Sequence, residues 1–250
     1  MGIINATPDS FHESSRKGGV ERALEMIQNG ADWIDIGGES TRPGAAPISI
    51  EEEIARVIPI VSEISKVANV SIDTRHVEVA RKAMEAGAKM INDVSGLRDS
   101  AMMDLVLEYD CEVCIMHMLG DPGNMQNNPT YDDVVSEVNG YLLSKARELV
   151  ERGHSMDKIH LDPGIGFGKT LEHNISLLNS SLELRPYSIL WGVSRKSMIG
   201  QICDQPKTEN RLAGSLAVAA KAFGNGIDII RVHDVREHVD LFKVLEKLEE

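Results

Sequence analysis

A carboxylate followed by a glycine-rich turn lies at 161–169, where the sequence reads LDPGIGFGK. The apolar residues before Asp162 predict the end of a buried strand, and the glycines at 164, 166 and 168 allow backbone angles closed to other residues. A carboxylate at the mouth of a strand can accept two parallel hydrogen bonds from a planar pair of N–H groups. The stretch therefore predicts a site where a ligand with a guanidine-like edge comes close to bare backbone.

Two other interpretations of this stretch compete with a binding site. An Asp before Pro-Gly is a common start of a turn, which would make Asp162 structural. The letters GKT at 168–170 also resemble the end of a phosphate-binding loop. That loop needs a glycine five residues before the glycine of GKT, and Pro163 occupies this position, so the match fails.

Polar residues recur at the ends of the other predicted strands, and this repetition favours a functional site. They are Asn5, Glu39, Thr41, Arg42, Asp73, Asn92, Asp93, His117, Asp162, Ser194, Lys196, Arg231 and His233. One such residue would mean little, but a set that ends every predicted strand describes a lined pocket. Three acidic residues, Asp35, Glu39 and Asp93, either line this pocket or brace its loops.

Part of this set suits a flat, nitrogen-rich ring. Asp73, Asn92 and Asp162 offer carboxylate and amide groups to the edge of such a ring. Lys196 can bind a ring carbonyl or pack on the ring face. Ser197 and the backbone N–H groups near it can accept a carboxylate at the start of a helix.

Another part of the set suits a polyanion. Arg231 and His233 are two residues apart in a predicted strand, so their side chains face the same way. With Asn5 and Arg42 they can hold an anionic group, and the Asn5 amide oxygen can serve as a Mg²⁺ ligand. An unpaired cation is costly in a buried run such as the one before Arg231, which argues against a simple salt bridge at the rim.

The spacing of apolar residues predicts strands and helices in strict alternation. The predicted strands cover 2–6, 33–36, 70–72, 90–92, 112–116, 159–161, 189–193 and 229–232, and a helix follows each of them. Eight such units in 250 residues favour a parallel, eight-stranded (β/α)8 TIM barrel in a single domain, 1–250, over a doubly wound open sheet. Three long irregular stretches, 7–19, 37–48 and 119–130, follow strands on the barrel face that carries function.

Composition and charge narrow the class of protein. Hydrophobic residues make up 42% of the chain, as in a globular protein, and the net charge of −13 argues against a partner nucleic acid. The cysteines do not form a disulfide framework, and Cys111 and Cys114 have the odd spacing that puts strand residues on opposite faces. No signal peptide and no apolar run of membrane length is predicted, so we expect a cytoplasmic protein without a membrane partner.

Eight short motifs resemble, in order, those of the dihydropteroate synthases, a (β/α)8 family of folate synthesis. They are NATPDSF at 5–11, GGESTRPG at 37–44, SIDT at 71–74, IND at 91–93, MHM at 116–118, LDPGIGFGK at 161–169, SRKSMIG at 194–200 and RVHD at 231–234. The family joins p-aminobenzoate to 6-hydroxymethyl-7,8-dihydropterin diphosphate and releases pyrophosphate. The resemblance implies this reaction, these small-molecule substrates, Mg²⁺ and a homodimer.

The resemblance also implies a role for each matching residue. The pterin would contact Asp73, Asn92, Met116, Asp162 and Lys196; the diphosphate would contact Asn5, Thr41, Arg42, Arg231 and His233, with Mg²⁺ on Asn5; and p-aminobenzoate would contact Asp9, Phe11, Phe167, Lys196 and Ser197. The implied catalytic residues are Asp162, Lys196, Arg231 and His233. The implied course is SN1-like, because the ring can stabilise the cation left when pyrophosphate departs.

Two features depart from the family pattern. Family members carry an N-terminal hairpin under the barrel, whereas this sequence starts in its first predicted strand. After Phe11 the loop reads HESS, where the family has an Asp and glycines.

Two other functions share parts of the pattern. They are a pterin-dependent methyltransferase barrel, which needs neither the SRKS run nor a diphosphate clamp, and a non-catalytic pterin-binding protein.

Overall fold

Eight parallel strands close into a barrel in the computed structural model, which describes residues 1–6, 13–40 and 45–249. In chain order they are β1 Gly2–Asn5, β2 Trp33–Gly37, β3 Asn69–Asp73, β4 Met90–Asp93, β5 Glu112–Met116, β6 Ile159–Asp162, β7 Ser188–Trp191 and β8 Ile229–Ile230. Each strand pairs with its sequence neighbours, and a bridge between Gly2 and Val232 closes the sheet. The predicted (β/α)8 barrel is confirmed, and the open sheet is excluded.

Helices alternate with these strands along the chain. They are α1 Glu13–Gln28, α2 Ile50–Ile64, α3 Val77–Glu85, α4 Ser100–Tyr109, α5 Val134–Glu151, α6 Leu171–Ser180, α7 Ser197–Ile202, α8 Leu212–Gly224 and α9 Val235–Glu249. The prediction that 7–19 is irregular is wrong from Glu13 onward, and α7 is a short helix that begins at Ser197, where a helix start was predicted. The first half of α1 is polar and contains glycines, so it has no apolar spacing that would indicate a helix.

Helix α2 shows how the sequence specifies these helices. The Glu52 backbone N–H donates to the Ser49 hydroxyl at 3.1 Å, which caps the helix N-terminus. Val57, Ile60 and Ile64 recur at three- and four-residue spacing and are at most 1% exposed. Burial of each such side chain contributes about 1.5–3 kcal/mol before the entropy cost of ordering it. The buried stripe therefore fixes which face of α2 meets the sheet.

Alternate strand residues point into the barrel and form layers along its axis. Met90, Cys114 and Leu190 pack together in one apolar layer. Two residues further along β4, the next inward position holds Asn92, and β6 ends at Asp162. The interior thus changes from apolar to polar toward the carboxyl ends of the strands, where a barrel carries its site.

The two cysteines near β5 lie on opposite faces, as their spacing predicted. Cys111 belongs to the large outer core, Cys114 lies in the interior layer, and both are free thiols. Burial raises the pKa of Cys111 to about 12 and raises the pKa of Cys114 well above its ordinary value. Neither thiol is a reactive thiolate at neutral pH.

Candidate active site

Arg231 lies at the barrel mouth between two carboxylates. Its Nε donates a hydrogen bond to Asp35 Oδ2 at 2.5 Å, and its Nη2 donates to Asp73 Oδ2 at 2.6 Å. The Arg231, Asp35 and Asp73 side chains are 18%, 0% and 12% exposed, so these ion pairs are largely shielded from water. Burial lowers the pKa of Arg231, but the two carboxylates outweigh it and raise the pKa. The guanidinium is therefore a permanent, fixed cation.

Asp35 is a site residue that the sequence left open between the pocket and a loop. It is fully buried in β2, and its Oδ2 also accepts a hydrogen bond from Asn92 Nδ2 at 3.2 Å. Asp35 therefore links Asn92 to Arg231 from inside the barrel. Its Oδ1 has no hydrogen-bond partner among the described residues. The alternation of strand residues could have predicted that Asp35 points into the barrel, because it lies two residues before Gly37, but it could not have predicted Arg231 as its partner.

Gly192 leaves a space on which three charged side chains converge. A Cβ placed on Gly192 would lie 3.6 Å from Asp162 Oδ2, 3.8 Å from Lys196 Nζ and 4.0 Å from Arg231 Cδ. Because Arg231 also contacts Asp73, the network described above joins the same space. The structure thus places Asp73, Asp162 and Lys196, which were predicted for a ring, at the same mouth as Arg231, which was predicted for an anion.

Burial sets the protonation of the ionisable groups in this pocket. It raises the pKa of Asp73 to about 7, against the opposing charge of Arg231. It also raises the pKa of Asp162, against the opposing charge of Lys196. Burial lowers the pKa of Lys196 to about 8, and Asp162 opposes this shift. A ligand that donates N–H groups to the carboxylates would stabilise their ionised forms and lower their pKa values.

An apolar surface lies beside the charged groups. Met116 and Met118 belong to one buried apolar cluster, and the Phe167 side chain packs against this cluster. Lys196 Nζ lies 4.4 Å from the centre of the Phe167 ring, a distance typical of a cation–π contact. Ser197 is exposed at the first turn of α7, directly after Lys196. The pocket therefore offers flat apolar contacts next to its hydrogen-bonding groups.

His233 and Asn5 lie at the same end of the barrel. His233 Nδ1 lies 3.1 Å from Ser194 Oγ, which also accepts the His233 backbone N–H at 3.2 Å. Burial, followed by the charge of Arg231, lowers the pKa of His233 to about 4, so its ring is neutral at neutral pH. The Asn5 side chain is exposed at the end of β1. Four predicted site residues lie outside the described residues: Asp9, Phe11, Thr41 and Arg42.

Asp93 and Glu39 brace loops at the barrel mouth. Asp93 accepts hydrogen bonds from the backbone N–H groups of Ser95 and Leu97 at 2.7 and 2.8 Å. Glu39 accepts two hydrogen bonds from the Arg75 guanidinium, at 2.9 and 3.2 Å. Of the three acids left open by the sequence, only Asp35 joins the network of Arg231 in the described part of the chain.

The glycine-rich turn after β6 packs against the end of β5. Gly164, Gly166 and Gly168 have φ angles of +67°, +83° and +64°, which other residues rarely adopt. A Cβ on Gly164 would lie 1.8 Å from the His117 carbonyl oxygen. The Gly164 N–H donates to Asp162 Oδ1 at 2.7 Å. The turn therefore orients the Asp162 carboxylate by one oxygen and leaves the other for a ligand.

We expect Gly164→Ala to destabilise the protein by about 3 kcal/mol or more, because the methyl group adds a clash to the cost of positive φ. Gly153→Ala is the matched control, since Gly153 has φ +96° but no described atom within 4 Å of its Cβ position. This control should lose only about 1–2 kcal/mol. Urea unfolding of both variants measures the difference. Equal losses would show that the turn moves to admit the methyl group.

Comparisons of this chain with known proteins show the family to which it belongs. A family model described as a pterin binding enzyme matches residues 1–233. The dihydropteroate synthase of Escherichia coli K12 is 46% identical in an alignment that covers 98% of this chain and 90% of that protein. The chain belongs to the dihydropteroate synthase family. The resemblance that the motifs predicted is confirmed.

Solved dihydropteroate synthases share the fold over the whole chain. The Yersinia pestis enzyme, solved with a sulfonamide drug, has a TM-score of 0.92 at 40% identity and covers 100% of this chain and 93% of that one. The Burkholderia cenocepacia dihydropteroate synthase, complexed with 7,8-dihydropteroate, has a TM-score of 0.91 at 42% identity, with 100% and 90% covered. The barrel is thus the one that dihydropteroate synthases use.

Proposed function

We propose that the protein is a transferase that condenses 6-hydroxymethyl-7,8-dihydropterin diphosphate with p-aminobenzoate, giving 7,8-dihydropteroate and pyrophosphate. The observation that carries the proposal is the convergence of Asp162 Oδ2, Lys196 Nζ and Arg231 on the space at Gly192. Acids that suit the ring edge stand there beside cations that suit its departing anion. Membership of the dihydropteroate synthase family supports the same reaction.

The pterin edge would bind the carboxylate oxygens that protein donors leave open. Asp162 uses Oδ1 for the Gly164 N–H and keeps Oδ2 for the ligand. Asp73 uses Oδ2 for Arg231, and its Oδ1 has no partner among the described residues. Buried acceptors without donors are costly, so ring N–H groups would offset that cost. The other residues proposed to contact the pterin are Asn92, Met116 and Lys196.

The diphosphate would bind beside the Arg231 cation and the neutral ring of His233. Thr41 and Arg42 are proposed for the same group. In the described part of the chain there is no cluster of three His, Cys, Asp or Glu that could hold a metal. Mg²⁺ that accompanies a diphosphate takes most ligands from phosphate oxygens and water, so the exposed Asn5 amide fits it as a protein ligand. Bound Mg²⁺ would neutralise charge on the leaving pyrophosphate.

The proposed course is SN1-like. The bond between the pterin methylene and the diphosphate oxygen breaks, and its electron pair leaves with pyrophosphate, whose growing charge Arg231 offsets. Ionised Asp73 and Asp162 stabilise the electron-poor ring. The lone pair of the uncharged amino group of p-aminobenzoate then forms the new C–N bond, and one proton of that nitrogen passes to solvent. The residues proposed to frame the amine are Asp9, Phe11, Phe167, Lys196 and Ser197.

Pyrophosphate release tests the proposal. The purified protein is incubated with dihydropterin diphosphate, with and without p-aminobenzoate and Mg²⁺. We expect release that depends on both additions and forms 7,8-dihydropteroate in equal amount. Release no faster than the enzyme-free blank would contradict synthase activity. Pterin binding without release would instead indicate a non-catalytic pterin-binding protein.

The homodimer implied by the family resemblance is part of the same proposal, and sedimentation of the purified protein tests it. The single domain and the cytoplasmic location also stay predictions. None of the described helices combines the length and the apolar character that crossing a bilayer requires.

A further inference from the structure

Each of the five backbone carbonyls in the turn 164–168 accepts a hydrogen bond. The donors are the Phe167 N–H to Gly164 at 3.1 Å, Lys196 Nζ to Ile165 at 2.5 Å, Gln126 Nε2 to Gly166 at 2.7 Å, Lys169 Nζ to Phe167 at 3.0 Å and the Tyr131 hydroxyl to Gly168 at 2.9 Å. A turn with this many glycines has many backbone conformations available, so ordering it is costly. The hydrogen bonds select one of them.

Two of these donors come from the segment that connects β5 to α5. Gln126 lies in the long irregular stretch 119–130, to which the proposed reaction gives no role, and Tyr131 follows it. The Gln126 side chain is exposed, yet it reaches Gly166 across 40 residues of sequence. The Tyr131 ring packs edge-on against the His173 ring, with centroids 5.1 Å apart, which directs its hydroxyl to Gly168. The stretch after β5 therefore holds the turn after β6.

Lys169 supplies the third contact and is buried at 4% exposure. Besides the Phe167 carbonyl, its Nζ donates to the His117 carbonyl at 3.2 Å and lies 3.1 Å from His117 Nδ1. Burial, followed by the charge of Lys169, lowers the pKa of His117 to about 3, so His117 is neutral and Nδ1 can accept. Lys169 Nζ thus has three acceptors within the protein, and burial lowers the pKa of Lys169 to about 7. Lys169 ties the end of β5 to the turn and does not face a phosphate.

These contacts act on the proposed reaction through Phe167, because Lys196 Nζ lies 4.4 Å from the centre of the Phe167 ring. We propose that Gln126, Tyr131 and Lys169 are positioning residues that fix the Phe167 ring and Lys196 for the aromatic amine. The inference rests on the proposed function and assigns these residues to its amine half. They touch neither substrate and act through the turn 164–168.

Tyr131→Phe tests the inference with the smallest change, since it removes one hydroxyl and keeps the ring. We expect the KM for p-aminobenzoate to rise about fivefold, as the loss of one hydrogen bond allows, with the KM for the pterin diphosphate unchanged. Gln126→Ala, at an exposed position, should act in the same direction. Tyr141→Phe is the matched control. The Tyr141 ring lies 5.5 Å from the His117 ring, as the Tyr131 ring does at 6.2 Å. The Tyr141 hydroxyl donates to Gly96 at 2.7 Å and not to the turn, so the amine KM of this variant should equal the parent value.

The rate of backbone amide hydrogen exchange in the peptide 163–170 measures how stable the turn is, and it needs no substrate. Exchange should accelerate about fivefold in Tyr131→Phe and Gln126→Ala, and not in Tyr141→Phe. If the parent is active and Tyr131→Phe and Gln126→Ala keep its KM for p-aminobenzoate, this inference is wrong and the proposed function stands. That holds whether or not hydrogen exchange accelerates. A parent that releases no pyrophosphate would overturn the proposed function and this inference with it.

Discussion

Asp162→Asn is expected to weaken binding of a pterin by about a hundredfold while leaving the fold intact. The Gly164 N–H holds Asp162 Oδ1, so Oδ2 is the oxygen left for the ring edge. An asparagine that keeps the Gly164 contact through its oxygen would turn its NH2 toward the ring. Its N–H groups would then face the N–H groups of the ring edge, and no hydrogen bond could form. Each charge-assisted bond lost costs about 1.5–3 kcal/mol. Calorimetric titration with a pterin measures the effect.

Asp93→Asn is the matched control for this variant. Asp93 is also buried and also ends a strand, but its oxygens accept hydrogen bonds from its own loop, at Ser95 and Leu97. This control should lose stability and keep the pterin affinity of the parent. Parent-like affinity in Asp162→Asn, or an equal loss of affinity in both variants, would contradict the assignment of Asp162.

Residues at the barrel mouth could be predicted from the sequence because of the parallel topology. In a (β/α)8 barrel all strands end at the same face, so a polar residue directly after an apolar run has a known place. Asp73, Asn92 and Asp162 follow such runs, and the structure brings them to one pocket. The strands themselves were predictable for the same reason, since each is a short apolar run before a turn.

Contacts made inside the barrel and between loops were not predictable in this way. Asp35 lies within a strand, and its partner Arg231 is 196 residues away, so neither position indicates the other. Gln126 and Tyr131 donate to backbone carbonyls, and any residue can present a carbonyl, so their partners leave no mark in the sequence. The start of α1 was missed because its first half has no apolar stripe. Predictable features thus depend on position along a strand, and the missed ones depend on proximity in space.

Charged side chains lie close together in the described part of the pocket. Arg231 donates to Asp35 and Asp73, and a Cβ at Gly192 would lie near Asp162 Oδ2 and Lys196 Nζ. In a site with little water, removing one member leaves a charge that nothing nearby offsets. Arg231 is the member with the most direct ion pairs in this set, since it donates to two carboxylates. Its loss should therefore disturb the protein more than the loss of a surface arginine.

Arg231→Met is expected to lower the free energy of unfolding by about 3–5 kcal/mol, because it leaves Asp35 and Asp73 as buried carboxylates without a cation. Methionine keeps the length of the side chain and removes its charge and donors. Pyrophosphate release should also fall, by about a hundredfold or more, since the leaving group loses the cation that offsets its charge. Urea unfolding and the release assay measure the two effects.

Two further variants separate the buried network from ordinary ion pairing. Arg195→Met removes an arginine that donates to Asp234 at 2.7 and 2.6 Å, with the two side chains 22% and 15% exposed. Only one carboxylate is stranded there, so we expect a loss of about 1–2 kcal/mol. Adding Asp35→Asn to Arg231→Met should restore part of the lost stability, because one of the two stranded charges is gone.

The stability lost in Arg231→Met should depend on pH. Burial raises the pKa of Asp73 to about 7 while the charge of Arg231 opposes it, so the pKa rises further in the variant. A carboxyl group with a raised pKa keeps its proton in the folded state, so its penalty is absent at low pH and grows as the pH rises through the folded pKa. The loss should thus be smaller at about pH 5.5 than at about pH 8. A loss of the same size at both values would mean that Asp73 finds another partner, and it would contradict the role of Arg231 as its counter-ion.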